Sequence, residues 1–194
     1  MKNNLLIAVT GGIGSGKSQV IAILNQLGEK TLSCDAITNE LYSDKKVIKQ
    51  LGKMFPSARR GFFVKTIDKQ TIANTVFNNP QKLKQLTDYL TPIVLETCVQ
   101  RAKQTGGRVF VEVPLLFEQN ATDSFDKVLV VTRNLDARIQ SVINRSNLTK
   151  EQVLQRINAQ FDYDNADLSC HTIIANNGSL DNLKQSIQNF VESL

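Results

Sequence analysis

Residues 11–18 read Gly-Gly-Ile-Gly-Ser-Gly-Lys-Ser, which is the spacing GxxxxGK[ST]. Each residue type has a chemical use there. Glycines let the backbone wrap closely around an anion with its amides pointing inward. A helix starting in the loop adds its positive end. Lys17 is placed to reach the β- and γ-phosphates, and the Ser18 hydroxyl to hold Mg²⁺. The candidate ligands of a nucleoside triphosphate are therefore Gly11, Gly12, Ile13, Gly14, Ser15, Gly16, Lys17 and Ser18. The pattern says what is bound and leaves open what is done with it.

Other chemistries lose ground on counts. The single histidine, His171, makes a histidine-based zinc site or a Ser-His-Asp triad improbable. Cys34, Cys98 and Cys170 are an odd number, far apart and without a CxxC, so they read as reduced cytosolic thiols. No NKxD segment for reading guanine is present, and no Asp-x-x-Gly switch follows a strand.

The loop motif needs a strand before it and a helix after it, and both are legible. Leu5–Thr10 is an apolar run of the kind a doubly buried strand carries. From Gly16 to Leu27 the apolar residues Val20, Ile21, Leu24 and Leu27 fall at helical spacing, and Gly28 reads as the helix end. Lys30–Cys34 reads as a second strand, after which Asp35 opens a helix. The stretch 44–104 reads as mostly helical, with starts at Asp68 and Pro80 and with Pro92 in the first turn of a third helix. Arg108–Val113, Lys127–Thr132 and Thr172–Ala175 read as strands. Helices are expected over Leu135–Asn144, from a capping box at Thr149 to about Gln160, and from Asn177-Gly178 to near Leu194. Five strands separated by helices call for a parallel α/β sheet.

The chain has 194 residues, 41% apolar and 21% charged, which suits one globular domain. A net charge of +5 suits an anionic partner without naming one. No apolar run is long enough for a transmembrane helix and no signal-peptide pattern opens the chain, so no membrane is expected and a cytoplasmic place is. No nucleic-acid motif occurs, and no nucleic-acid partner is expected. Lys45-Lys46 and Arg59-Arg60 read as solvated faces, with attraction of an anionic substrate as the other reading. Phe62-Phe63 reads as packing.

Four segments, in order, carry a closer likeness. They are VTGGIGSGKS at 9–18, Cys34-Asp35-Ala36-Ile37, the run VPLLFE at 113–118, and Arg156-Ile157-x-Ala159-Gln160 followed by IIANNG at 173–178. On these residues the chain resembles the dephospho-CoA kinases. Ser33, Thr91, Ser141 and His171 depart from that family's usual residues, as do Asp162, Asp164 and Asp167 in a stretch that is often basic.

The resemblance implies a three-layer P-loop NTPase fold with a five-stranded parallel sheet. It implies one domain over 1–194, a helical substrate-binding insert at about 44–104 and a helical lid at about 135–168. It implies transfer of the ATP γ-phosphoryl group, with Mg²⁺, to the ribose 3′-hydroxyl of dephospho-CoA. Another small nucleoside or nucleotide kinase, or a catalytically impaired ATP-binding module, are the alternatives. Asp35 is the implied base, with helix capping as its other role. Arg145 is the implied lid arginine, while Arg138 and Arg156 read as surface residues by default. Pro114, Leu115 and Leu116 either wall the substrate pocket or belong to the core. Asn176 and Gly178 either flank the adenine or form a plain turn. Glu112 either orients Mg²⁺ through water or simply ends its strand. His171 reads as structural.

Overall fold

A computed structural model describes residues 4–61, 66–77, 79–146 and 148–194. Phe62-Phe63 lies outside the described residues. The chain divides into two compact units, residues 1–33 with 101–194, and residues 34–100.

The first unit is built on a parallel sheet. Its strands are β1 (Leu5–Thr10), β2 (Lys30–Ser33), β5 (Arg108–Glu112), β6 (Lys127–Thr132) and β7 (Thr172–Ala175), in the spatial order β2-β5-β1-β6-β7. The five strands are those legible in the sequence. β1 is central and buried along its length because its residues are apolar on both faces. On one face, Ile7, Val9, Phe110, Leu129 and Val131 meet Val20 and Leu24 of α1 (Lys17–Gln26) and Leu183, Ile187 and Phe190 of α8 (Leu180–Glu192). Each strand residue set at this core is one side of a period-2 pattern, and each helix contributes an i, i+4 stripe. In the same unit, α6 (Leu135–Arg145) and α7 (Lys150–Asn158) pack through Ile139, Val142, Val153 and Ile157. The capping box forms as expected, with the Thr149 hydroxyl accepting from the Gln152 amide and the Gln152 side chain accepting from the Thr149 amide.

The second unit carries α2 (Cys34–Leu41), α3 (Lys45–Met54), α4 (Lys69–Phe77) and most of α5 (Pro80–Thr105) around a core of Val47, Leu51, Phe55, Ala58, Ile72 and Leu90. One expectation is corrected here. Pro92 does not open a new helix; it lies inside α5, which runs 26 residues. Leu90, Val94, Cys98 and Ala102 are all buried at i+4 steps. That stripe continues through the proline and offsets the roughly 3 kcal/mol cost of its missing donor. The unit is mostly helical, as read, with one short addition: β3 (Arg59–Arg60) pairs antiparallel with β4 (Thr66–Ile67). Arg60 is exposed but engaged, donating to Asp68 at 2.8 Å and to the Ser57 carbonyl at 2.8 Å. Lys45 and Lys46 are exposed, as read. Cys34 and Cys98, distant in sequence, bring their sulfurs within 3.4 Å as thiols.

Candidate active site

The loop between β1 and α1 takes the conformation its glycines allow. Gly11 has φ +147°, and a Cβ there would stand 2.2 Å from the Val131 carbonyl oxygen of the neighbouring strand. Only glycine fits so close an approach. α1 begins at Lys17 after Gly16, whose left-handed φ of +98° takes the place of a side-chain cap. No acidic residue stands in its own first turn, so the helix itself does not cancel its positive end. Lys17 Nζ donates to the carbonyls of Gly11 at 2.6 Å and Gly12 at 3.2 Å, which curls the side chain back over the loop. The Ser15 hydroxyl is buried without a hydrogen-bond partner among the described residues. A loop of this kind, with an ammonium and a helix end turned on one space, binds polyphosphate.

Ser18 donates to the Glu112 carboxylate at 3.4 Å. Two hard oxygen donors side by side, next to an anion cradle, suit Mg²⁺, which takes one or two protein oxygens and completes its shell with phosphate and water. The residues present therefore fit the ion. Among the described residues no cluster of three or more His, Cys, Asp or Glu forms a separate metal cage.

Side chains from the far end of the sequence brace the loop. Asn176 is buried and donates its amide to the Ser15 carbonyl at 2.9 Å and to Gln19 at 3.2 Å. It is thus a support of the loop, a role its position in the sequence did not suggest. Gln160 accepts from the Ile13 amide at 2.7 Å. Arg138 corrects the surface default outright: it is 3% exposed and donates Nε to the Ile13 carbonyl at 3.1 Å. Its Nη1 pairs with Asp164 at 3.2 Å. The VPLLFE run contributes in an unexpected way. Glu118 accepts from the Phe161 amide at 2.9 Å, and Phe117 stacks on Phe161 with ring centroids 4.5 Å apart. His171 completes that aromatic cluster, 5.5 Å from Phe117, which is the structural place read for it.

The other sequence-derived residues lie on α2, on α6 and α7, in the run 113–118 and just ahead of α8. Asp35 is exposed in the first turn of α2, and its carboxylate has no hydrogen-bond or ionic partner among the described residues. It belongs to the second unit. Arg145 is the exposed last residue of α6 and likewise pairs with nothing among the described residues. Arg156 is exposed on α7. Leu116 is fully buried, Pro114 is half-buried and Leu115 is exposed, so of the three Leu116 is core. Gly178 is exposed just ahead of the Ser179 cap of α8.

A cleft of about 760 Å³ opens at the carboxyl ends of β6 and β7, lined by Thr132, Arg133, Asn134, Leu135, Tyr163 and Asn177 among others. Tyr163 joins it to the loop, sharing a 3.2 Å hydrogen bond with Thr10. Burial pushes the Tyr163 phenol up to about 12, against a smaller opposing effect of the Thr10 hydroxyl. The phenol is therefore neutral at neutral pH and held protonated by the fold. Its raised folded-state value means its contribution is whole below the unfolded value of 10.0 and is lost as pH climbs toward 12. Tyr163→Phe is expected to cost about 1 kcal/mol at pH 8. It should also shrink the further loss of stability seen on going to pH 11, which urea unfolding at the two pH values measures.

Comparison with known proteins bears on the whole chain. The family model described as dephospho-CoA kinase matches residues 5–182. A protein named dephospho-CoA kinase from Chlorobaculum tepidum is 34% identical over 198 residues, covering 98% of this chain and 95% of that protein. The crystal structure of TT1252 from Thermus thermophilus superposes with a TM-score of 0.84 at 31% identity, covering 100% of this chain and 99% of that one. A dephospho-CoA kinase structure from Campylobacter jejuni gives a TM-score of 0.70 at 27% identity, with 97% and 96% covered. The fold shared with these structures is a three-layer α/β fold around a five-stranded parallel sheet.

Proposed function

The chain belongs to the dephospho-CoA kinase family, and from that premise we propose how its residues move the γ-phosphoryl group of ATP onto the ribose 3′-hydroxyl of dephospho-CoA, giving CoA and ADP. The observation that carries the reading is the loop 11–18, with Lys17 curled over it and the N-terminal end of α1 behind it. Phosphoryl transfer asks little covalent chemistry of a protein; it asks for alignment, charge cancellation and a destination for one proton.

The loop amides and Lys17 hold the phosphate chain, and Lys17 leaves the Gly11 and Gly12 carbonyls for phosphate oxygens when ATP arrives. Ser18, with Glu112 beside it, would hold Mg²⁺, and the bound ion would supply neutralisation of the phosphate charge. The cleft at the ends of β6 and β7, which Asn177 helps to line, receives the rest of the nucleotide. Asp35 stands two residues after Ser33, the end of β2, and Ser33 lies in register with Glu112. Chain connectivity thus supports Asp35 as the group that orients the acceptor hydroxyl and takes its proton. Its carboxylate is not consumed by a partner among the described residues. Arg145, at the end of α6, is the arginine that closes on the transferring group. The helical insert at about 44–104 receives dephospho-CoA, and the 135–168 segment acts as the lid.

No helix among the described residues is long and apolar enough to cross a membrane. A cytoplasmic place goes with this reading and is supported by the three cysteines standing as thiols.

ADP release is the test, measured with dephospho-CoA, adenosine, AMP and shikimate as acceptors. Turnover with dephospho-CoA alone, with a product one phosphate heavier at the 3′ position, is expected. Turnover only with another acceptor would assign a different kinase activity, and ATP binding without turnover would make the chain a binding module.

A further inference from the structure

Ile13 stands at the tip of the loop, and three of its groups are held by one region of the chain. Its amide donates to Gln160 at 2.7 Å. Its carbonyl accepts from Arg138 Nε at 3.1 Å. Its side chain packs against the α6–α7 cluster of Ile139, Val142, Val153 and Ile157. Arg138 also shapes the glycines on either side. A Cβ on Gly12 would come within 2.5 Å of Arg138 Nη2, and one on Gly14 within 2.5 Å of the Arg138 carbonyl oxygen.

We propose that Arg138 and Gln160 are positioning residues that clamp Ile13 and so preset the loop for phosphate. The inference rests on the reading of residues 11–18 as the phosphate site. A loop with four glycines in six residues has more backbone freedom to lose on binding than an ordinary loop. Fixing the tip in advance removes part of that cost, and preorganisation of this kind appears as affinity. Stability alone is a weak reason for the arrangement. A buried ion pair often contributes little net stability compared with apolar residues of the same size. Arg138 is 3% exposed, and its guanidinium is spent on the loop carbonyl and on Asp164. Asp164 balances the buried charge from the solvent side, its side chain 55% exposed. The clamp joins the phosphate loop to the segment read as the lid, so both act through one residue.

The test uses the full chain with Mg²⁺–ATP and with inorganic tripolyphosphate, a probe that reads the loop without the nucleoside. Arg138→Met removes the donor at similar length. Gln160→Ala removes the acceptor on a half-exposed residue, where water can replace it. Each is expected to weaken both ligands by about tenfold in protein that circular dichroism shows to be folded. The double variant should lose less than the product of the two, because both act on Ile13. If Arg138→Met does not fold, Gln160→Ala decides alone. Folded Gln160→Ala with wild-type tripolyphosphate affinity, even at a lower melting temperature, would overturn the clamp and leave these side chains merely structural. Failure of the wild-type chain to bind either ligand would instead remove the phosphate-site reading, and the clamp with it.

Discussion

Asp35→Asn is expected to lower turnover by about 10²–10⁴-fold while changing ATP affinity by no more than about twofold. The substitution keeps the shape of the side chain and removes its capacity to accept a proton. A structural explanation of such a loss would be hard to sustain. Asp35 is exposed, and its carboxylate has no hydrogen bond or ion pair to the described residues that the change would break. What the fold loses is a favourable charge in the first turn of α2, of the order of 0.3–1 kcal/mol. That is small beside the expected effect on rate. The separation of kcat from ATP binding carries the argument. A residue that serves only to bind the acceptor would raise the KM for dephospho-CoA and leave kcat nearly intact. Steady-state kinetics with both substrates varied, beside direct titration of ATP, separate the two roles.

Lys17→Met is the second large effect. Turnover is expected to fall by about 10²–10³-fold, the scale of losing one well-placed donor to a developing charge. ATP affinity should fall with it, which distinguishes this variant from Asp35→Asn. The structure gives the reason. Lys17 Nζ is already held at the loop by two backbone carbonyls, at 2.6 and 3.2 Å, so little side-chain freedom remains to be lost when phosphate oxygens replace them. Charge-assisted bonds to phosphate are stronger than those to neutral carbonyls, which favours the exchange. Lys17→Arg should recover little, because a planar guanidinium cannot make the same compact turn over the loop. Isothermal titration with Mg²⁺–ATP and the ADP-release assay check both statements.

The parts of this molecule that could be read in advance are those written in local pattern. The apolar run Leu5–Thr10, the glycine spacing at 11–16 and the Thr149 capping box each carry their structure within a few residues. The strands and their helices followed, and so did the place of the loop between β1 and α1. The supports of the loop could not be read in that way. Arg138, Gln160 and Asn176 reach it from 125, 147 and 161 residues away, through single hydrogen bonds that leave no periodic trace. Arg138 sits on a helix with other polar residues, and only the fold turns it inward. The family likeness had already marked Gln160 and Asn176, but not what they hold. Pro92 misled because a local rule about proline was weighed against a burial stripe, Leu90 to Ala102, that depends on tertiary contacts. The β3–β4 pair is only two residues on each strand, too short for alternation to appear. In the run VPLLFE, Phe117 and Glu118 turned out to dock the segment after α7, a task that belongs to the region's geometry and not to its composition.

The claim on which the rest depends is that backbone amides from Gly14 to Ser18, with Lys17, receive the phosphate chain of ATP. Amide chemical shifts followed by ¹H–¹⁵N NMR during titration with Mg²⁺–ATP read this directly. The largest shifts are expected at Gly14, Gly16, Lys17 and Ser18, and titration with tripolyphosphate should reproduce them. Saturable binding of ATP with these amides unmoved, and the shifts gathered elsewhere on the chain, would contradict the account.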